Sequence, residues 1–365
     1  MAYLPLSTAN LPDPAINPAQ GSSPEDYFNT VTYAGNGTGL GSTQTISNGN
    51  FQPDFIWIKS RSTADYHNLN DSVRGIVSTG SPNLLTNTTG AETTFTGYGV
   101  SALTSTGFTL IGNGSYTNAN GTNYVAWNWK ANGSGVSNTD GSITSTVSAN
   151  TQSGFSIVTY TGVSGGGTVG HGLGAKPSCI IVKNRSQADN WWIWHQGMES
   201  SGENGEDYLF FTTAASADDG YQYLANNSTT FTPQGTSKLM QDGGNFVAYC
   251  WSEIEGYSKC SSYVGNGNAD GPFVYTGFRP AFVMVKDTGG TGNWSMMDSE
   301  RGSINVIDEQ LLADSSGAES TANDLMDFLS NGFKLRIGTS GLNRLGRTII
   351  YMAFAENPFK YSNAR

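Results

Sequence analysis

Phe51-Gln-Pro-Asp-Phe-Ile-Trp-Ile-Lys59, Ala175-Lys-Pro-Ser-Cys-Ile-Ile-Val-Lys183 and Phe278-Arg-Pro-Ala-Phe-Val-Met-Val-Lys286 are one phrase written three times in a 365-residue chain. Each copy has Pro third and Lys six residues later. Between them runs a continuous apolar stretch, which suits a strand covered on both faces. The first and third copies keep a constant shift of 227 residues. Pro53 maps to Pro280, Asp71-Ser-Val-Arg-Gly75 to Asp298-Ser-Glu-Arg-Gly302, and Leu84-Leu85 with Gly90-Ala-Glu92 to Leu311-Leu312 with Gly317-Ala-Glu319. Register held from Pro53 to Glu92 is duplication, not composition.

Further landmarks flank the phrase. Upstream lies Tyr33-Ala-Gly35, Tyr160-Thr-Gly162 or Tyr263-Val-Gly265; downstream lies Tyr124-Val-Ala-Trp127, Phe246-Val-Ala-Tyr249 or Tyr351-Met-Ala-Phe354. Gly107-Phe-Thr-Leu110 matches Gly332-Phe-Lys-Leu335. A period of roughly 100–125 residues is domain-sized, well beyond solenoid repeats. Short β-branched and aromatic runs bounded by Gly, Pro and Asn, with Asn-Gly turn pairs, predict strands; the one helical candidate is a short turn near 323–331. The expected fold is all-β: three tandem β-sandwich or jelly-roll-like lobes from an internal triplication, behind an extended N-terminal arm, with orthogonal barrels still open. Boundaries fall at a Pro-rich arm 1–27, repeat 28–131, a Gly/Ser/Asn/Thr-rich linker 132–153, repeat 154–251 and repeat 252–365.

The balance of 18 Lys+Arg against 29 Asp+Glu gives a net charge of −11. That argues against nucleic acid, whose binders cluster basic residues. Charged residues are only 13% and Gly numbers 47, but 12% aromatic residues, with eight Trp, can bury a core. No signal peptide or membrane-spanning stretch is expected, and Cys179, Cys250 and Cys260 read as reduced thiols.

Chemistry-bearing patterns are incomplete. Gly162-Val-Ser164-Gly-Gly166 matches a nucleophile elbow, but a Gly-rich stretch follows where a helix is required. His67, His171 and His195 lack zinc-site spacing. Asn266-Gly-Asn268-Ala-Asp270-Gly271 starts like a calcium loop but has Gly277 where Glu is needed, and Asn138-Thr-Asp140-Gly141 is also partial, leaving a structural Ca²⁺ in some turn open. Glu199, Glu203, Glu206 and Asp207, or Glu253 with Glu255, are the carboxylates available for glycosidase work, with nothing to fix their separation. No catalytic residue, metal site or cofactor is expected. Lys59, Lys183 and Lys286, with Arg61 and Arg185, could mark a recurring surface site, though closing a strand at the solvent edge is the plainer role. Asp71/Arg74 and Asp298/Arg301 are expected to pin loops. The candidate binding segment is Trp191-Trp192-Ile193-Trp194-His195. Alternation sets Trp192 and Trp194 on one face; one face must be core, and the other could offer rings to a sugar or a protein.

Phe28-Asn-Thr-Val-Thr-Tyr33-Ala-Gly-Asn-Gly37, the Pro-to-Lys phrase, Asp71-Ser-Val-Arg-Gly75 and Tyr124-Val-Ala-Trp127 together resemble repeats in virion proteins of tailed bacteriophages, notably aquatic ones. Glu253-Ile-Glu-Gly-Tyr-Ser-Lys259, Gly271-Pro-Phe-Val-Tyr-Thr-Gly-Phe-Arg-Pro280 and Ala353-Phe-Ala-Glu-Asn-Pro-Phe-Lys-Tyr-Ser362 are similar to the same pattern. The likeness spans nearly everything after residue 27 and brings no catalytic residues. It implies a non-enzymatic structural protein of the virion, assembled in the host cytoplasm and then extracellular. A tail fibre, spike or receptor-binding part is expected first, docked to other virion proteins by the arm and touching a host glycan or protein. A head decoration or neck connector is the alternative, and a glycan-degrading enzyme a distant third. By analogy with phage fibres the chain is expected to be a homo-oligomer, a trimer.

Overall fold

The computed structural model describes residues 11–39, 42–198, 207–214, 223–234, 238–302, 304–338 and 341–362. The first repeat carries β1 (Phe28–Ala34), β2 (Thr43–Ser47), β3 (Phe55–Ser60), β4 (Asn68–Asp71), β5 (Pro82–Asn83), β6 (Thr93–Thr94), β7 (Gly99–Thr104), β8 (Gly107–Ile111) and β9 (Asn123–Trp129). The second carries β10 (Val136–Asn138), β11 (Ser145–Asn150), β12 (Phe155–Thr161), β13 (Val169–Gly170), β14 (Cys179–Asn184), β15 (Trp192–His195), β16 (Leu209–Phe210), β17 (Leu224–Asn226), β18 (Thr230–Pro233) and β19 (Asn245–Trp251). The third carries β20 (Ser258–Val264), β21 (Phe273–Tyr275), β22 (Phe278–Asp287), β23 (Ser295–Asp298), β24 (Leu311–Leu312), β25 (Met326–Leu329), β26 (Gly332–Leu335) and β27 (Thr348–Pro358).

Strand order repeats lobe by lobe. The main sheets run β1-β9-β3-β4, β12-β19-β14-β15 and β20-β27-β22-β23; the smaller sheets run β2-β8-β7, β13-β18-β17 and β21-β26-β25. All ladders within them are antiparallel, and the register repeats too. Lys59 faces Val125, Lys183 faces Val247 and Lys286 faces Ile350. This register corrects one sequence match: Trp127, Tyr249 and Met352 are equivalent, so Tyr351-Met-Ala-Phe354 sits two residues out of step with its supposed counterparts.

The Tyr-x-Gly phrase has a mechanical reading. Tyr33, Tyr160 and Tyr263 donate their hydroxyls to the carbonyls of Thr117, Leu239 and Leu342 at 2.7, 2.9 and 2.6 Å. Two residues on, a Cβ at Gly35, Gly162 or Gly265 would collide with the backbone oxygen of Ala119, Gln241 or Arg344. Only Gly admits that close approach.

Each sandwich has its own core, exemplified by Ile56, Ile58, Phe108 and Tyr124 in the first lobe. The opposite faces of the three main sheets meet in one shared core that includes Trp57, Trp127, Ile181, Tyr249, Met284 and Met352. Strand alternation therefore sends Phe55 and Trp57 to the centre and Ile56 and Ile58 to their own lobe, with every residue of β3, β14 and all but one of β22 buried. The equivalent rings Trp129, Trp251 and Phe354 meet at one end of this centre, with Trp129 centroids 6.2 Å from Trp251 and 5.6 Å from Phe354.

Three sequence expectations need correction. The linker 132–153 is sheet: β11 pairs along its whole length with β12, and β10 pairs with β11. Its small residues suit close packing, since Ser145, Val147 and Ser148 are buried. The turn near 323–331 is a hairpin, β25 with β26, whose Met326 and Phe328 enter the lobe core. The described part of the arm does not project. Ile16 is fully buried in the shared core, a burial worth about 1.5–3 kcal/mol, and Asp13 pairs with Lys360 at 2.7 Å. Residues 1–10 lie outside the described residues.

Candidate functional site

Trp191 to His195 is buried on both faces. Trp192 and Trp194 fill the core of the second lobe, Trp192 packed against Tyr208, Phe210 and Tyr223. Trp191 and Ile193 belong to the shared core, and His195 is 2% exposed. The segment is therefore not a flat platform of rings on the surface, because both faces of the main sheet are covered, one by a second sheet and one by the neighbouring lobes. His195 accepts the Gly197 N–H on Nδ1 at 3.0 Å, so Nε2 carries the proton and donates to Tyr351 O at 3.0 Å.

That last contact crosses one of three seams between lobes, and each seam is also bridged by one member of a matched set of ring N–H donors. Trp191 Nε1 donates to Leu85 O at 2.9 Å, His67 Nε2 to Leu312 O at 2.9 Å, and Trp294 Nε1 to Phe210 O at 2.8 Å. Lobe two thus reaches lobe one, lobe one reaches lobe three, and lobe three reaches lobe two. Such head-to-tail contacts close into a ring. Tyr249 donates to Asp71 at 2.7 Å and Trp127 Nε1 to Asp298 at 3.0 Å along the same two directions. Register makes Asp71, His195 and Asp298 one position.

The Asp/Arg pairs do more than pin loops. Arg74 pairs with Asp71 and with Glu92 at 3.0 Å, and Glu92 takes Arg185 of the second lobe at 2.7 Å. Arg301 pairs with Asp298 at 2.6 Å and Glu319 at 2.9 Å, and Glu319 takes Arg61 of the first lobe at 2.7 Å. Met198 stands where Arg74 and Arg301 stand. Lys59, Lys183 and Lys286 are buried rather than at the solvent edge. Lys183 Nζ donates to Thr89 O at 3.0 Å and Asp189 O at 2.7 Å, and Lys286 Nζ to Gly292 O at 2.6 Å. Burial pulls all three amines down to about 8. These side chains are structural.

Among the described residues, three of the hollows bear on the candidate site residues. Ser164 lines a hollow of about 430 Å³ at the loop end of lobe two, with Met240 and Asp242. Its N–H donates to Asp242 Oδ1 at 3.0 Å, and a strand, not a helix, follows it. In the other lobes the loop is latched by a buried amide: Asn118 Nδ2 donates to Gly112 O and Asn343 Nδ2 to Ile337 O. Glu253 and Glu255 line a cleft of about 530 Å³ with Asp13 and Lys360. Glu253 Oε1 accepts from Gln196 at 2.8 Å and from the Cys260 N–H at 2.9 Å, so it ties two loops together. Asp207 is buried; Glu199, Glu203 and Glu206 lie outside the described residues. Of the calcium-like turns, Asn266 Oδ1 is used by the Asn343 latch, and Asn138 Nδ2 donates to Asp140 at 2.8 Å.

The third hollow, about 280 Å³, lies on the ring axis at the end away from Trp129. The carbonyl oxygens of Leu85, Phe210 and Leu312 are equivalent acceptors at the seams, so the next residues Thr86, Phe211 and Ala313 form one set and Asn87, Thr212 and Asp314 the next. Phe211 is the large member of its set. It plugs the axis against Trp57, Trp191 and Trp294, at 5.7, 6.0 and 5.3 Å between centroids. Around this floor stand an amide, a hydroxyl and a carboxylate. Asp314 Oδ1 accepts the Trp294 N–H at 3.0 Å, while Oδ2 is buried with no partner. Asn87 Oδ1 accepts the His67 N–H at 3.2 Å, which fixes the amide and makes Nδ2 the counterpart of Asp314 Oδ2. Of the five-residue segment picked from sequence, only Trp191 lines this hollow. The polar positions were marked by the 227-residue shift that carries Asn87 onto Asp314, but only the topology shows that they share an axis.

A family model described as a domain of unknown function (DUF7483) matches residues 23–358, from just before β1 to the end of β27, and the chain belongs to this family. No curated protein and no solved structure matches it.

Proposed function

We propose that this chain is a non-enzymatic structural protein of a tailed-phage virion, a tail fibre, spike or receptor-binding part that contacts the host surface. The repeat phrases support the virion context by their resemblance to phage proteins. The observation that carries the reading is the head-to-tail closure of three matched sandwiches inside one chain. Closure turns the main sheets inward and leaves the loop ends of three lobes outward, in fixed relation. Asn-, Ser-, Thr- and Gly-rich loops of low charge suit hydrogen bonding to saccharides, and several weak contacts from one rigid body gain by avidity. Attachment to the particle is assigned to the face that holds residues 11–27, since Ile16 anchors that segment to the body.

A head decoration or neck connector is the second reading. A closed body with an internal threefold has the symmetry to seat on a local threefold of a shell. Gold-labelled antibody on intact virions separates the two. Label at the tail tip, with purified chain blocking virion adsorption to the host, supports the first; label over the whole head at high copy number removes it in favour of the second.

A further inference from the structure

We infer that the open edge of β21 receives an extended, uncharged segment of another virion protein, added as a fourth strand to the β21-β26-β25 sheet beside Phe273 and Tyr275. This deepens, and rests on, the assignment of the face holding residues 11–27 to the particle. Register against the neighbouring strand makes Thr45, Thr168 and Phe273 one position, and Ser47, Gly170 and Tyr275 another. Only the third lobe places rings there, and they are 45% and 55% exposed. Leu335 N–H donates to Pro272 O and Thr276 N–H to Asn331 O. Pairing toward β26 therefore falls on alternate residues, and the N–H and C=O of Phe273 and Tyr275 point away from the sheet. Among the described residues nothing bonds to them.

The second lobe shows what such an edge takes. Ile143 N–H donates to Thr168 O at 3.0 Å, Thr168 N–H to Ser142 Oγ at 3.0 Å, and Ser145 Oγ to Gly170 O at 3.1 Å. Further along, Val147 and Ala149 lie over Gly172, where a Cβ would stand 3.0 and 3.1 Å from them. The first lobe ties its two edge strands directly: Asn29 Nδ2 donates to Asn48 O, and Gln44 Nε2 to Ala34 O at 2.8 Å. The third lobe has neither device. Lys259 stands where Asn29 stands, its Nζ over the Tyr275 ring at 5.7 Å. Gly277 stands where Gly172 stands and borders the open cleft of about 530 Å³. β20 is already closed at Cys260 by Glu253 and Gln196, so an added strand pairs with β21 and sends only side chains into the cleft. What is unmatched is main chain at ladder spacing flanked by apolar rings, which selects a peptide strand. The chain's own cover, residues 142–150, carries no charge. Its parallel bridge from Ile143 to Val169 sets Thr144 beside Gly170, the Tyr275 position, so the partner is expected to be aliphatic there.

The test is amide NMR of the full chain with a synthetic peptide of residues 141–151 and with its Thr144→Leu form. Both are expected to bind, with dissociation constants of about 0.1–1 mM and the Thr144→Leu form tighter. Bound peptide should slow solvent exchange of the Phe273 and Tyr275 amides and leave Val274, already paired with Phe333, unchanged. Phe273→Thr with Tyr275→Ser copies the first lobe's edge and is expected to weaken binding about tenfold or more, with the unfolding midpoint unchanged. A peptide N-methylated at Ile143 keeps its side chains, loses the donor and is expected not to bind. No binding by either peptide, binding indifferent to the double substitution or to N-methylation, or shifts at β13 in place of β21 overturns the site. So does binding that appears only once residues 1–10 are removed, which gives the edge to this chain's own N-terminal residues. Dimerisation that the double substitution abolishes gives it to a second copy and also overturns the proposal. Peptide binding with normal incorporation of the doubly substituted chain into virions keeps the strand site and removes the particle-side assignment; lost incorporation without peptide binding does the reverse.

Discussion

Arg74 shows how the seams are held. Its guanidinium has no solvent exposure and holds Asp71, Glu92 and the Leu69 carbonyl, the last at 2.9 Å. Charges taken out of water are stabilising only when every partner stays in place. Arg74→Ala is therefore expected to cost about 3–5 kcal/mol by urea unfolding, because Asp71 is left buried beside Tyr249. The second lobe solves the same position with His195 and Met198. Asp71→His combined with Arg74→Met copies that solution and is expected to lose clearly less than the sum of the two single variants; strict additivity would show that the pair is not coupled. The histidines give a second outcome at this scale. Burial depresses His195 to about 4, His67 to about 3, and His171 below its ordinary value. The unfolded chain then binds protons first, so stability is full above about pH 6.5 and falls as pH drops toward 4, by up to about 1.4 kcal/mol per pH unit for each histidine. Urea midpoints at pH 7, 6 and 5 should decline, with a smaller decline in His195→Asn. A flat profile from pH 7 to 5 would contradict the buried, neutral assignment.

Among elements, β10 and β11 separate composition from structure. Val136 to Asn150 has the Gly, Ser and Thr content of a linker, and the register given for β11 makes it an inner strand between β10 and β12. Limited proteolysis checks this directly: the segment 132–153 should resist proteinase K under native conditions, and early cleavage there would restore a flexible linker. The same segment shows what sequence could and could not disclose. Runs such as Phe55 to Ile58 declare themselves through local β propensity, and the repeat spacing places the equivalent strands in all three lobes. Ser145, Ser148 and Ala149 carry no such signal, since small polar residues read alike in a loop and in a tightly packed strand. For Trp191 to His195, alternation assigned the two faces correctly. It could not say what covers each face, because the covering residues lie far away in the chain: Tyr351 for His195, separated by 156 positions. The axial hollow was hidden for the same reason, its rim being drawn from three lobes.

At the scale of the molecule, the ring makes the lobes interdependent. Each main sheet has one apolar face in its own sandwich and the other in the shared core, where Phe55 stacks on Tyr249 at 4.3 Å and Phe28 on Phe354 at 5.0 Å. A lobe cut free would expose that inner face, with Trp57, Trp127 and Trp129 among the residues uncovered. It would also strand half of an ion bridge, since Arg61 and Glu319 sit 258 positions apart and on different lobes. Three consequences follow from one cause. Residues 28–131 expressed alone should aggregate or bind a hydrophobic dye, with no cooperative transition. The full chain should unfold in a single calorimetric transition whose van't Hoff and calorimetric enthalpies agree. The third concerns assembly: the head-to-tail surfaces that would recruit further copies are used inside the chain, so light scattering should give 38.7 kDa, one chain and not the homotrimer that fibre analogy suggests. Three separable transitions would mean that the lobes are beads on a string, and that the seams of buried Arg, Glu and Trp contribute little. A single transition at three times the mass would keep the interdependence and add an outer interface, and the search for a virion contact would then begin on that outer face.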